Sequence, residues 1–125
     1  DTSKTMVWAL SRWRNAKAEF SGEVPPIPVN SIEKEPSAEL RPDQLDSDSL
    51  PEYEALDAIL ELYVDQDASV SDLIAMGFDS ELVTRIISLT DRAEYKRRQY
   101  PPGTKISTKS FGRDRRLPIT NRWKS

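Results

Sequence analysis

The sequence predicts a mainly helical chain. Apolar residues recur at helical spacing in several separate stretches, no stretch alternates in the manner of a strand, and Gly, Pro and capping residues punctuate the intervals. At 125 residues the chain makes at most one domain of ordinary size. Its 37% hydrophobic content is modest core material, and the first 50 residues look poor in it.

The first helix is expected from about Ser3, a fair N-cap, to Lys17. Met6, Leu10 and Trp13 recur at i, i+4 and i+7, with Val7 and Ala9 widening the stripe. Trp8 falls outside that stripe, so one side of the helix is free to face a partner. Ser21-Gly22 and Pro25-Pro26-Ile27-Pro28 then interrupt regular structure. A charged loop is expected over 30–49. Pro36 and Pro42 each remove an amide donor and push the preceding residue out of the helical region.

A second helix is expected from Ser49, with Glu52 at capping-box spacing, to Asp65-Gln66-Asp67. Leu56, Ile59, Leu60, Tyr63 and Val64 form its apolar stripe. Ser69, Asp72 and Gly77 mark a short third helix with a capping box and a left-handed terminator, against which Phe78 packs back. Asp79 caps a long fourth helix, expected to run unbroken to Arg98, with Leu82, Val83, Ile86 and Ile87 on its apolar face. Pro101-Pro102-Gly103 stops it, and residues 99–125 read as an extended basic tail.

Absent residue types narrow the chemistry. There is no Cys, hence no disulfide framework or thiolate metal site, and no His, the commonest general base and zinc ligand. No apolar run approaches the roughly 20 residues that span a bilayer. Asp1-Thr2-Ser3 opens straight into a helical pattern, with no signal peptide ahead of it. The expectation is a cytoplasmic chain without a membrane partner.

The net charge of −3 hides a polarity. Residues 30–91 hold 16 acids against three bases, a net of −13; residues 92–125 hold 11 bases against two acids, a net of +9. Such a tail either attracts polyanions or neutralises the acidic middle of its own chain. Both readings stand at this level.

Several constellations carry chemistry. In Lys34-Glu35-Pro36-Ser37-Ala38-Glu39-Leu40-Arg41-Pro42, Lys34 and Ser37 suit phosphate oxygens, while Glu39 and Asp43 suit a hard cation such as magnesium. Asp43, Asp46 and Asp48 alternate as in calcium loops, but the Gly and terminal Glu of an EF-hand are missing, which leaves a solvated acidic loop as the simpler account. The helix–Gly77-Phe78–helix unit has a helix-turn-helix outline. Asp79-Ser80-Glu81 at the start of the following helix would repel phosphates, which favours a plain αα-corner. Met76-Gly77-Phe78 also fits the exposed loop of a three-helix ubiquitin-binding module. Glu94-Tyr95-Lys96-Arg97-Arg98 and Phe111-Gly112-Arg113-Asp114-Arg115-Arg116 are dense charged clusters. Gly112 permits an unusual turn, and Trp123 suits an apolar pocket.

Taken in order, Lys4–Trp8, Lys34–Leu40, the Tyr53–Asp57 helix start, Ala93–Arg98 and Phe111–Trp123 resemble the C-terminal part of NAD synthetase, in its long, glutamine-dependent bacterial form. The resemblance covers nearly the whole chain. It implies the helical C-terminal portion of an α/β adenine-nucleotide-hydrolase-like (Rossmann-like) synthetase domain. It also implies an amide-forming ligase that uses ATP and magnesium to adenylylate deamido-NAD, and ammonia from glutamine to complete NAD. Lys34–Asp48 resembles the mobile loop that covers ATP and pyrophosphate, with Lys34 and Ser37 on phosphate; the family has Thr or Ser at the latter position. Lys96 and Asp114 are implied deamido-NAD contacts. Shorter family members have His where this chain has Tyr95. The implied partners are the rest of the synthetase, its glutaminase domain and further copies of the full-length protein.

No Ser-Gly-Gly-x-Asp-Ser phosphate loop can be written from Gly22, Gly77, Gly103 and Gly112. The expectation is therefore a chain that begins inside the synthetase domain and makes no NAD alone. The competing expectations are a helical protein-interaction module whose basic tail binds nucleic acid, and a dimerisation or docking piece.

Overall fold

A computed structural model describes residues 2–36, 50–99, 101, 103–110 and 112–120. Every regular element among them is helical: α1 (Lys4–Phe20), α2 (Val29–Glu33), α3 (Tyr53–Leu60), a π-helical turn (Glu61–Asp65), α4 (Val70–Ala75), α5 (Ser80–Arg92) and α6 (Glu94–Arg98). The chain divides into two compact units, residues 2–54 and 55–125.

In residues 2–54, Ser3 caps α1 by accepting from the Met6 amide at 3.3 Å. The helix continues three residues past Lys17, because Ala18, Glu19 and Phe20 sustain it. The terminator is Gly22, at φ +73°, where the Glu23 amide returns to the Ala18 carbonyl at 2.8 Å. The proline-rich segment is then held to α1 by one side chain. Asn15 donates from Nδ2 to the Ile27 carbonyl at 2.8 Å and accepts from the Ile27 amide at 3.1 Å. Pro28, already at φ −57°, leads into α2, a short helix within the stretch expected as loop. Ile32 of α2 is buried.

The expected core stripe of α1 faces outward. Met6, Leu10 and Trp13 are 48%, 52% and 58% exposed, whereas Asn15 and Ala18 are buried. The buried face is the small-residue side, which lets the proline-rich segment and α2 approach. A five-residue helix offers too little apolar surface to cover three large side chains. Trp8 is half-buried instead, edge-on to Tyr53 at 5.5 Å between centroids.

Residues 55–125 close a core of their own. Ile59, Leu73, Val83, Ile86 and Ile87 are buried together, flanked by Leu56, Leu60, Tyr63, Phe78 and Leu82. The expected Ser49 start lies outside the described residues, and the helix begins only at Tyr53, two residues beyond Pro51. Its last turn widens into the π turn, and Asp67 reverses the chain at φ +56°. Around α4 the local expectations hold. Ser69 Oγ accepts from the Asp72 amide at 3.2 Å, and Asp72 Oδ2 accepts from the Ser69 amide at 2.9 Å. Gly77 sits at φ +99°, and the Phe78 amide donates back to the Leu73 carbonyl at 3.2 Å.

The helix expected to run unbroken to Arg98 is interrupted at Ala93, giving α5 and α6. Arg97 donates from Nη1 to the Thr90 carbonyl, an acceptor that a continuous helix keeps for its own ladder. A Cβ built at Gly112 would meet the Arg97 carbonyl oxygen at an ordinary 3.6 Å. The Trp123 anchor falls outside the described residues.

Candidate functional site

Lys34 follows α2, its amide donating to the Asn30 carbonyl at 2.9 Å. Its side chain lines a cavity of about 380 Å³ together with Trp8, Tyr53, Glu33, Glu35 and Glu52. The aromatic pair forms an apolar wall, and the carboxylates around Lys34 make the cavity acidic on balance. It is therefore no phosphate cradle by itself. Ser37, Glu39 and Asp43 lie outside the described residues. Among the described residues no three Asp or Glu side chains come together as a metal would need.

The second cluster surrounds α6 and the tail. Glu94 is 3% exposed and its carboxylate is the centre of the cluster. Arg97 donates from Nη2 to one oxygen at 2.6 Å, Arg98 from Nε to the other at 3.0 Å, and the Leu117 amide also donates to it. Burial pushes the Glu94 carboxyl up. The bonds from Arg98, Arg97 and Leu117 outweigh it and hold the group below the ordinary carboxylate range. Arg98 completes the grip, donating from Nη2 to the Leu117 carbonyl at 2.7 Å. Leu117 is thus held at both its amide and its carbonyl. Lys96, on the same short helix, is exposed.

Two residues earlier the tail is held again. Arg115 pairs with Asp91 at 2.9 Å, and its guanidinium lies 4.3 Å from the centre of the Tyr63 ring. The Tyr63 hydroxyl donates to the same carboxylate at 3.0 Å. Burial raises the Tyr63 pKa, with Asp91 acting in the same direction and Arg115 opposing. The π turn carries Tyr63, in keeping with the use of such turns to present side chains. Further up the tail, the Lys109 amide donates to Asp65 at 3.0 Å, and its ammonium pairs with Asp67.

Asp114 stays local. It accepts from Lys105 Nζ at 2.6 Å and from the Ser110 amide at 2.9 Å, contacts that lower its pKa. Its partner is a lysine rather than one of the neighbouring arginines. Lys105, Lys109 and Arg115 are therefore all paired with acids, so much of the tail's positive charge is met within the chain. Arg113 and Arg116 are exposed.

The Tyr63–Asp91–Arg115 group and the Glu94–Arg98–Leu117 grip were not foreseen from sequence. The i, i+3, i+4 spacing of Glu94, Arg97 and Arg98 was a legible sign of mutual pairing. The links to Arg115 and Leu117, 24 and 19 residues from their partners, had no local sign.

The sequence model of the NAD synthase family matches residues 1–100. The glutamine-dependent NAD(+) synthetase of Acinetobacter baylyi is 52% identical over 99% of this chain, and that of Aquifex aeolicus is 43% identical over 98%. This chain spans 22% and 21% of their lengths, about a fifth. The glutamine-dependent NAD+ synthetase of Acinetobacter baumannii, solved in complex with adenosine diphosphate, superposes with a TM-score of 0.57. It is 41% identical, over 98% of this chain and 20% of that one.

Proposed function

Because the chain belongs to the NAD synthase family, we propose that it serves as the helical C-terminal portion of a glutamine-dependent NAD synthetase. The parent reaction is ATP-dependent amide formation: deamido-NAD is activated as an acyl-adenylate, pyrophosphate leaves, and ammonia from glutamine displaces AMP. The single observation behind this reading is a match that runs through nearly the whole chain at 52% identity, across both units.

In this reading residues 30–49 cover ATP and pyrophosphate, with Lys34 and Ser37 on phosphate oxygens. Glu39 and Asp43 offer the hard oxygen donors that magnesium takes. Magnesium would neutralise charge on the leaving pyrophosphate. Excluding water protects the acyl-adenylate from hydrolysis. Lys96 and Asp114 contact deamido-NAD, and residues 99–125 act as a tail laid over the helices rather than as a polyanion-binding arm. The lysine at position 96 suits its role: it is exposed on the short helix α6. The working protein is a cytoplasmic homo-oligomer with a glutaminase domain. The phosphate loop and the ammonia source belong to the parts outside this chain, so the isolated 125 residues make no NAD.

The test is a chimera. This chain replaces the matching segment of the Acinetobacter baylyi synthetase, and NAD is measured from deamido-NAD, ATP, magnesium and glutamine. NAD formation by the chimera, with none from the isolated chain, is expected. A folded chimera without turnover, or turnover by the isolated chain, overturns the reading.

A further inference from the structure

The α6 helix is only five residues long and starts at Ala93 with no side-chain cap. A helix this short does not hold its own conformation, and nothing within it sets which way its side chains point. Contacts from outside the helix must do so: the Leu117 amide reaches the buried Glu94 carboxylate, Arg98 reaches the Leu117 carbonyl, and Arg97 reaches the Thr90 carbonyl. Glu94, Arg97 and Arg98 share one face. That face is turned onto Leu117 of the tail and onto the Thr90 carbonyl at the end of α5. At 100° per residue Lys96 lies about 200° around the helix from Glu94, on the opposite face. It is exposed there.

We propose that Glu94 is a positioning residue for Lys96: by accepting from the Leu117 amide, and by holding Arg98 and Arg97 for their own bonds to Leu117 and Thr90, it sets the roll of the helix and aims the Lys96 ammonium outward at substrate. This rests on the reading of Lys96 as a deamido-NAD contact. An ionised carboxylate suits the task because it accepts from three donors at once, two of them cationic. Glutamine at this position keeps one acceptor but turns an amide N–H₂ toward a guanidinium, so one of the grips is lost.

The experiment is a double-mutant cycle in the chimera, read as the KM for deamido-NAD, the KM for ATP and kcat. K96A alone tests the underlying reading and raises the deamido-NAD KM about tenfold or more. E94Q raises the same constant by about tenfold and leaves the ATP KM within about twofold. If Glu94 acts through Lys96, E94Q adds nothing in the K96A background; general damage to the fold would add in full. No change on K96A means that Lys96 is not a substrate contact, and the inference falls with that reading. An effect of K96A with none of E94Q, or with fully additive effects, overturns the role of Glu94 alone. R98M provides a second route should E94Q fail to fold. It removes the bonds from Arg98 to Glu94 and Leu117 from a side chain that is 37% exposed. The same non-additivity with K96A is expected of it, and additivity counts against the proposal equally.

Discussion

Residues 55–125 and residues 2–54 use apolar side chains in opposite ways. The later unit turns Ile59, Leu73, Val83 and Ile86 inward to 0–1% exposure and straps its tail over helices with paired charges. The earlier one buries Asn15, Ala18 and Ile32 and leaves Met6, Leu10 and Trp13 about half exposed. The difference shows that helical periodicity identifies an apolar face without saying what that face meets. In one unit the face meets its own chain; in the other it is about half exposed among the described residues.

The sharpest way to break that comparison is to cut equal side chains from both. Ile86→Ala should destabilise the isolated chain by about 2–5 kcal/mol, because transfer energy and a residual cavity add. Leu10→Ala should cost under about 0.5 kcal/mol in the same urea titration, as exposed positions do. Comparable losses would mean that α1 is packed through its apolar stripe after all.

Next in size is the polar anchor of the earlier unit. Asn15→Ala leaves the amide and carbonyl of Ile27 without their partner, at a cost of about 1–3 kcal/mol to the local fold. Amide exchange at Ile27 would rise well before exchange at Ile86. Equal protection in wild type and variant would remove Asn15 as the anchor.

A smaller effect is expected at the capping box of α4. Ser69→Ala should cost about 1 kcal/mol, visible in the urea midpoint with an unchanged slope.

The last prediction concerns pH and separates the tail strap from the apolar core. The Glu94 carboxyl titrates below its ordinary value of 4.5 in the folded chain. The charged form is the one that folding favours. Its contribution is therefore fully present above about pH 4.5 and is lost as pH falls through the lowered folded value. Acidification should free the tail around Leu117 to protease before the Ile59–Ile87 core opens. Simultaneous loss of both would show that strap and core are one cooperative unit.

Features set by neighbours in sequence were legible without the structure. The Ser3 and Asp79 caps, the Ser69–Asp72 box, the left-handed Gly77 and the apolar face of α5 all depend on residues within four positions of one another. So did the resemblance to NAD synthetase, which rests on an ordered series of short motifs. What depends on distant parts of the chain was not legible. The outward roll of α1 goes with the lack of a large apolar partner for it among the described residues of that unit. The break at Ala93 accompanies a bond from Arg97 to a backbone carbonyl. The capture of the tail needs Asp91 and Glu94 to meet Arg115 and Leu117, many residues further on. Short-range hydrogen bonds and backbone preferences are written in local spacing. The partner of a charged or apolar face is chosen only when the chain folds, and that choice turns Glu94 and Arg97 inward and leaves Lys96 exposed.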